Sequence, residues 1–163
     1  MTDNYIQLKK KDILRFGIRD ENGKETGEYL EFNLKDIELP LKYQELLEKD
    51  KKNREWARNQ IAIINKRQDV QGKKLLTKNQ EDEIKVIIDF FKKETEIYNM
   101  FLGENGVQKI LNGRKFEWDT LEEIDEIIDK IIAPKLQITK DKLKQQIIEK
   151  YNNAVKRNEA ILK

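Results

Sequence analysis

The stretch from Ile84 to Gly113 constrains this chain most. Apolar side chains recur at Ile84, Ile88, Phe91, Tyr98 and Leu102, with Ile87, Phe90, Ile97 and Phe101 beside them. Spacings of three and four residues put the first set on one helical face, and the second set widens that face beyond what a surface helix needs. The pattern then runs into Phe101-Leu102-Gly103-Glu104-Asn105-Gly106 and on to Ile110-Leu111-Asn112-Gly113. Gly103 is suited to the left-handed conformation that ends a helix, and Gly113 to the same task for a short helix between them. The expected shape is a long helix, a tight turn and a two-turn helix, apolar at every joint. It is a shape for packing against something, and it carries no chemistry of its own.

Composition narrows the function in the same direction. The 163 residues include no His and no Cys, and the sequence contains no Ser. The commonest general base, the usual zinc ligands, thiol nucleophiles, disulfides and a Ser-His-Asp triad are therefore excluded. A non-enzymatic protein without cofactor or metal is the expectation. Lys9-Lys10-Lys11 follows the first residues with no apolar core after it, so no secretory signal is visible. No apolar run approaches the roughly 18 residues of a membrane span, and a soluble cytosolic protein is expected.

A single domain is the natural prior at this length, yet 39% of residues are charged and 37% hydrophobic. That is a lean core, fitting a helical protein with long solvated faces or one that completes its core against a partner. The net charge of +2 is unevenly spread: residues 1–80 carry +4, residues 81–134 carry −7 and residues 135–163 carry +5. An acidic middle between basic ends is compatible with head-to-tail self-association and equally with helix faces that are simply wet.

Punctuation marks the elements. Leu14, Phe16 and Ile18 alternate with polar residues, as do Leu30, Phe32 and Leu34, and an eight-residue loop from Asp20 to Gly27 containing Asn22-Gly23 lies between. This predicts a β-hairpin, which must pack on helices because two strands alone are marginal in water. Pro40 opens a helix to about Gln68, and Gln71 to Leu76 is a linker. Thr77 with Gln80 predicts a capping box for the long second helix, and Thr120 with Glu123 another for a fourth helix ending before Pro134. A last apolar stripe, Leu143, Ile147, Tyr151, Ala154 and Val155, predicts a helix over about 140–160. The fold class is thus mainly α (α+β), an N-terminal hairpin followed by four to five helices. A hairpin-plus-helical domain over 1–134 is expected, with a basic helical extension over 135–163.

Three constellations invite a chemical reading. Asp119, Glu122, Glu123, Asp125, Glu126 and Asp129 are a dense acidic cluster, but they lack the alternating ligands and central Gly of a calcium loop, and acids suit a helix's first turns. Gly103-Glu104-Asn105-Gly106 has the GxxG form of one RNA-binding module but not its basic middle or its sheet. Lys49, Lys51, Lys52, Arg54, Arg58, Lys66, Arg67, Lys73 and Lys74 surround Trp56, a combination able to hold single-stranded nucleic acid by charge and stacking. Interleaved Glu48, Asp50, Glu55 and Asp69 favour a solvated helix instead. A small nucleic-acid-binding phage or mobile-element protein using the Lys49–Lys74 helix is the alternative reading.

The order of elements resembles a known family. A strand pair leads to the Pro-started segment Asp36-Ile37-Glu38-Leu39-Pro40-Leu41-Lys42-Tyr43. An aromatic helix with Phe90, Phe91, Tyr98 and Phe101 follows, then the Gly103–Gly106 turn and a short helix with Ile110 and Leu111 ending in Gly113. This pattern, over about Ile13 to Ala133, is similar to the small tail assembly chaperones of long-tailed bacteriophages and prophages of low-GC Gram-positive hosts. The chain departs from many relatives in having Leu111-Asn112-Gly113 where they close on Phe-Gly. The resemblance implies a protein of the host cytoplasm, absent from the mature virion, that binds the tape measure protein and keeps it soluble. It also implies help in recruiting tail tube subunits, and self-association. Phe101, Leu102, Gly103, Gly106, Ile110, Leu111 and Gly113 are the expected partner-binding residues, together with the hairpin edge.

Overall fold

A computed structural model describes residues 3–9, 12–138, 148–149 and 151–157. Strands β1 (Ile13–Arg19) and β2 (Glu25–Asn33) pair antiparallel, with Leu14 opposite Phe32 and Phe16 opposite Leu30. The loop between them is shorter than the sequence suggests. Strand β2 takes up Glu25 to Gly27, absorbing the extra length in a bulge where the register shifts beyond Gly17 and Gly27 sits at φ +81°. What remains is a turn held by Asp20, whose Oδ1 accepts from the amides of Asn22 and Lys24, both at 2.9 Å.

Two long helices form the frame. Helix α1 (Leu39–Lys66) carries Pro40 in its first turn, and α2 (Lys78–Leu102) starts from Thr77 with the expected capping box to Gln80. Asn79 fastens the link between them by donating to the Ile64 and Arg67 carbonyls, so the last turn of α1 does not leave its acceptors open. The apolar stripe of α2 is buried from Phe90 onward, whereas Ile84 and Ile88 are half-exposed.

Gly103 (φ +97°) ends α2, and α3 (Gly106–Leu111) follows within three residues. The cap of α3 is not glycine: Asn112 adopts the left-handed conformation (φ +49°), with Gly113 positive just after it. Gly106 serves a different need. A Cβ there would lie 2.5 Å from the Cβ of Leu102, so only glycine lets α3 fold back this closely on α2.

Helix α4 (Trp118–Ile127) begins before the expected Thr120 cap. Its N-cap is Glu117, and Thr120 sits one turn in, where its hydroxyl accepts from the Glu117 amide at 2.9 Å and donates to the Lys115 carbonyl at 2.9 Å. The Trp118 ring stacks on Phe90 with centroids 5.1 Å apart, and this contact fixes the earlier start. The helix also does not stop before Pro134. It widens into a π-helical segment (Ile128–Ile132) and continues as a single turn, α5 (Ala133–Lys135), that includes the proline. Residues 148–149 and 151–157 are helical, while the rest of the expected 140–160 helix lies outside the described residues.

One core joins these elements. Phe32, Tyr43 and Phe101 meet at centroid distances of 5.4 Å, tying hairpin, α1 and α2 together. Phe90, Phe91, Phe116 and Trp118 tie α2 to α4. Leu136 and Ile138 are also buried in this cluster, so the packing extends past residue 134.

Candidate partner-binding site

The residues expected to touch a partner divide by burial. Phe101, Leu102, Gly106, Ile110 and Leu111 are buried, and only Gly103 and Gly113 of that set face solvent. The turn 101–113 is therefore core, correcting its expected role as an exposed contact surface. The physical reason is the close return of α3 at Gly106, which presses both of its apolar neighbours against α2 and the hairpin.

That return does create a surface, one layer out. The inner face and tip of the hairpin overhang α3, α4 and the π-helical segment, leaving an open cleft of about 490 Å³. Phe16, Ile18 and Leu30 line it from the sheet, and Ile110, Leu111, Ile127, Ile131 and Ile132 from the helices. The extra residue of the π-helical segment leaves Ile131 at the cleft 48% exposed while Ile128 and Ile132 are buried. Arg114 closes the mouth. It grips Glu123 with two bonds (2.8 and 3.2 Å), donates from Nε to the Leu111 carbonyl at 3.0 Å and reaches Glu21 in the hairpin turn at 3.6 Å. One side chain thus links hairpin, α3 and α4 around a mostly apolar hollow with a charged rim.

A second polar feature is internal. Glu94, on the core face of α2, is fully buried; its Oε1 accepts from Asn53 of α1 at 2.8 Å. Its Oε2 has no hydrogen-bond partner among the described residues. Burial pushes the Glu94 carboxyl up to about 9, and the neighbouring Asp50 carboxylate adds to the rise, so at neutral pH it holds a proton. Arg54 bridges Asp50 (2.8 Å) and Asp125 of α4 (2.9 Å), and the Tyr98 hydroxyl donates to Asp125. Burial also raises Asp125, opposed by the Tyr98 hydroxyl and by Arg54. These groups join three helices, and no substrate-sized hollow opens onto Glu94.

The acidic and basic constellations are partly consumed by such pairs. Glu123 and Asp125 are bound to Arg114 and Arg54, and the described residues contain no cluster of three or more acids placed to hold a metal ion. Within the basic set, Arg54 points inward, Arg67 pairs with Asp82 at 2.8 Å, and Lys49 and Lys74 approach Glu45 and Glu81. The phosphate-binding potential of that helix is reduced accordingly. No helix among the described residues is long and apolar enough to cross a membrane.

Glu94 and Asn53 carried a sequence signal that pattern reading passed over. Each is a lone polar residue inside an apolar helical stripe, Glu94 between Phe90, Phe91, Ile97 and Tyr98, and Asn53 between Leu46 and Ala57. Comparison with family models, curated proteins and solved structures finds no match to this chain.

Proposed function

We propose that this chain is a non-enzymatic assembly chaperone of bacteriophage tail formation, acting in the bacterial cytoplasm. It binds the long helical tape measure protein, keeps it soluble, helps recruit tail tube subunits, works as a homo-oligomer and leaves before the virion is complete. The resemblance over residues 36–43 and 90–113 supplies the identity of the client. The single observation that carries the mode of action is the apolar cleft beneath the hairpin, where half-exposed Ile131 stands beside Phe16 and Ile18. A client displaying apolar helical stripes needs such a surface to cover them, and a rim of opposed charges limits nonspecific adhesion.

Ile131→Asp tests this without touching the core. Co-expressed with the tape measure product, the wild-type chain is expected to keep that client in the soluble fraction, and the variant to lose most of this effect at an unchanged melting temperature. Full solubility with the variant would remove the cleft from the function.

A further inference from the structure

The outer edge of β1 and the N-terminal arm are two unsatisfied features of one chain, and they match. Antiparallel pairing alternates residues bonded across the pair with residues whose backbone groups point outward. The Leu34 amide bonds to the Asp12 carbonyl at 2.8 Å, and the Thr26 hydroxyl to the Ile18 carbonyl at 2.9 Å. Even-numbered residues of β1 therefore face β2, and Arg15, Gly17 and Arg19 direct their N–H and C=O groups away from it. Among the described residues no hydrogen bond reaches those groups. On the opposite edge, Lys109 donates to the Tyr29 carbonyl at 3.3 Å, so only β1 is left open. Gly17 has no side chain and still lines the cleft, so the bare strand edge is itself part of the cleft wall.

The arm has the complementary form. Tyr5, Ile6 and Leu8 are 86%, 92% and 83% exposed on a segment without helix or strand, and Ile6 and Leu8 alternate with Gln7 and Lys9 as a half-buried strand would. We infer that residues 5–8 of a second copy of this chain add as a parallel strand to the free edge of β1, with Ile6 and Leu8 entering the cleft. In that register Ile6 lies beside Phe16, Gln7 beside Gly17 and Leu8 beside Ile18.

Charge selects the direction. A parallel arm carries the lysine run after Leu8 toward Asp20 and Glu21 in the turn, whereas an antiparallel arm carries it back toward Arg15. Direction in turn selects the donor. Only three residues separate Lys9 from Ile13, and a parallel return to the same sheet needs a connection of a dozen or more. A chain's own arm can fold back only antiparallel, so the parallel strand comes from another copy. The exchange uses the cleft of the proposed function but does not depend on the client being a tape measure protein, and its failure leaves the Ile131→Asp result to stand separately.

The chain has no cysteine, so engineered pairs report one contact each. Gln7→Cys combined with Gly17→Cys in the full chain places the two thiols side by side; a Cβ at Gly17 would meet only the Tyr29 ring, at an ordinary 3.7 Å. Mild oxidation is expected to give covalent dimers and larger multiples, and mixing the two single variants to give dimers joined through the unlike pair. A disulfide closed within one chain, or none at all, overturns the inference. Light scattering on cysteine-free protein supplies an independent reading. The wild type is expected to exceed the mass of one chain at micromolar concentration and to lose mass at high salt, whereas Ile6→Asp with Leu8→Asp stays at one chain. Equal masses overturn it.

Discussion

Glu94→Gln isolates the buried proton from everything else in the helix interface. The carboxyl has an ordinary value of 4.5 when exposed in the unfolded chain and is pushed up to about 9 when folded, burial being the larger cause and Asp50 the second. Between those values the folded chain keeps a proton that the unfolded chain releases, so folding stability falls as pH rises. The slope for one proton is about 1.4 kcal/mol per pH unit. From about pH 5.5 to about pH 8.5 the wild type therefore loses up to about 4 kcal/mol through this group, a large share of the ~5–15 kcal/mol typical of a domain. A glutamine keeps an oxygen for the Asn53 bond, offers an N–H toward Asp50 and does not titrate. Urea unfolding at three pH values and constant ionic strength is the assay. The two proteins should be of similar stability near pH 5.5 and diverge upward, the variant being the more stable by up to about 4 kcal/mol near pH 8.5. Asp125, also raised by burial, contributes equally to both chains and cancels from the difference. Parallel stability curves would show that Glu94 is ionised in the folded chain and would refute the argument.

The remaining predictions concern packing and contact. Phe101→Ala opens a hole where Phe32 and Tyr43 meet and should cost about 3–5 kcal/mol, read as a lowered urea midpoint; a surface-like change below about 1 kcal/mol would return Phe101 to the contact role. Gly106→Ala forces a Cβ to 2.5 Å from that of Leu102 and should cost about 1–3 kcal/mol in the same assay, with an unchanged midpoint contradicting the close return of α3. Ile131→Asp should spare the melting temperature and abolish client solubilisation, and loss of the two arm side chains should reduce the oligomer to single chains in light scattering.

The hairpin and the long helices were legible because their signals are local. Alternation around Asn22-Gly23, the proline at 40 and the Thr77–Gln80 box each act within a few residues, and a local cause can be read from local sequence. Where tertiary contacts decide, the sequence misled. Thr120 has every property of an N-cap, but Trp118 stacking on Phe90 starts the helix earlier, and Glu123 is then free to bind Arg114. The apolar turn 101–113 looked like a contact surface because its sequence does not reveal that Gly106 brings α3 back onto α2. The cleft was hidden for the same reason. Its wall comes from β1, α3 and a π-helical segment, whose extra residue per turn leaves no mark in the apolar spacing.

The treatment of the two strand edges bears on how a chain so rich in charge uses its few apolar residues. A two-stranded sheet is marginal in water, and this one is held by seating Leu30 and Phe32 in the core. Edge strands in soluble proteins are usually blunted by charge, covering segments or bulges, because a bare edge recruits strands indiscriminately. Lys109 does this for β2 through the Tyr29 carbonyl. On β1, Arg15 turns to Glu31 and stacks over Tyr29, which leaves the adjoining backbone uncovered beside the cleft. A lean core explains why the chain does not spend a third strand of its own there. An open edge next to an apolar hollow is stable in solution only if it is short, and here it offers three outward residues, enough to select an alternating apolar segment and too few to propagate a sheet.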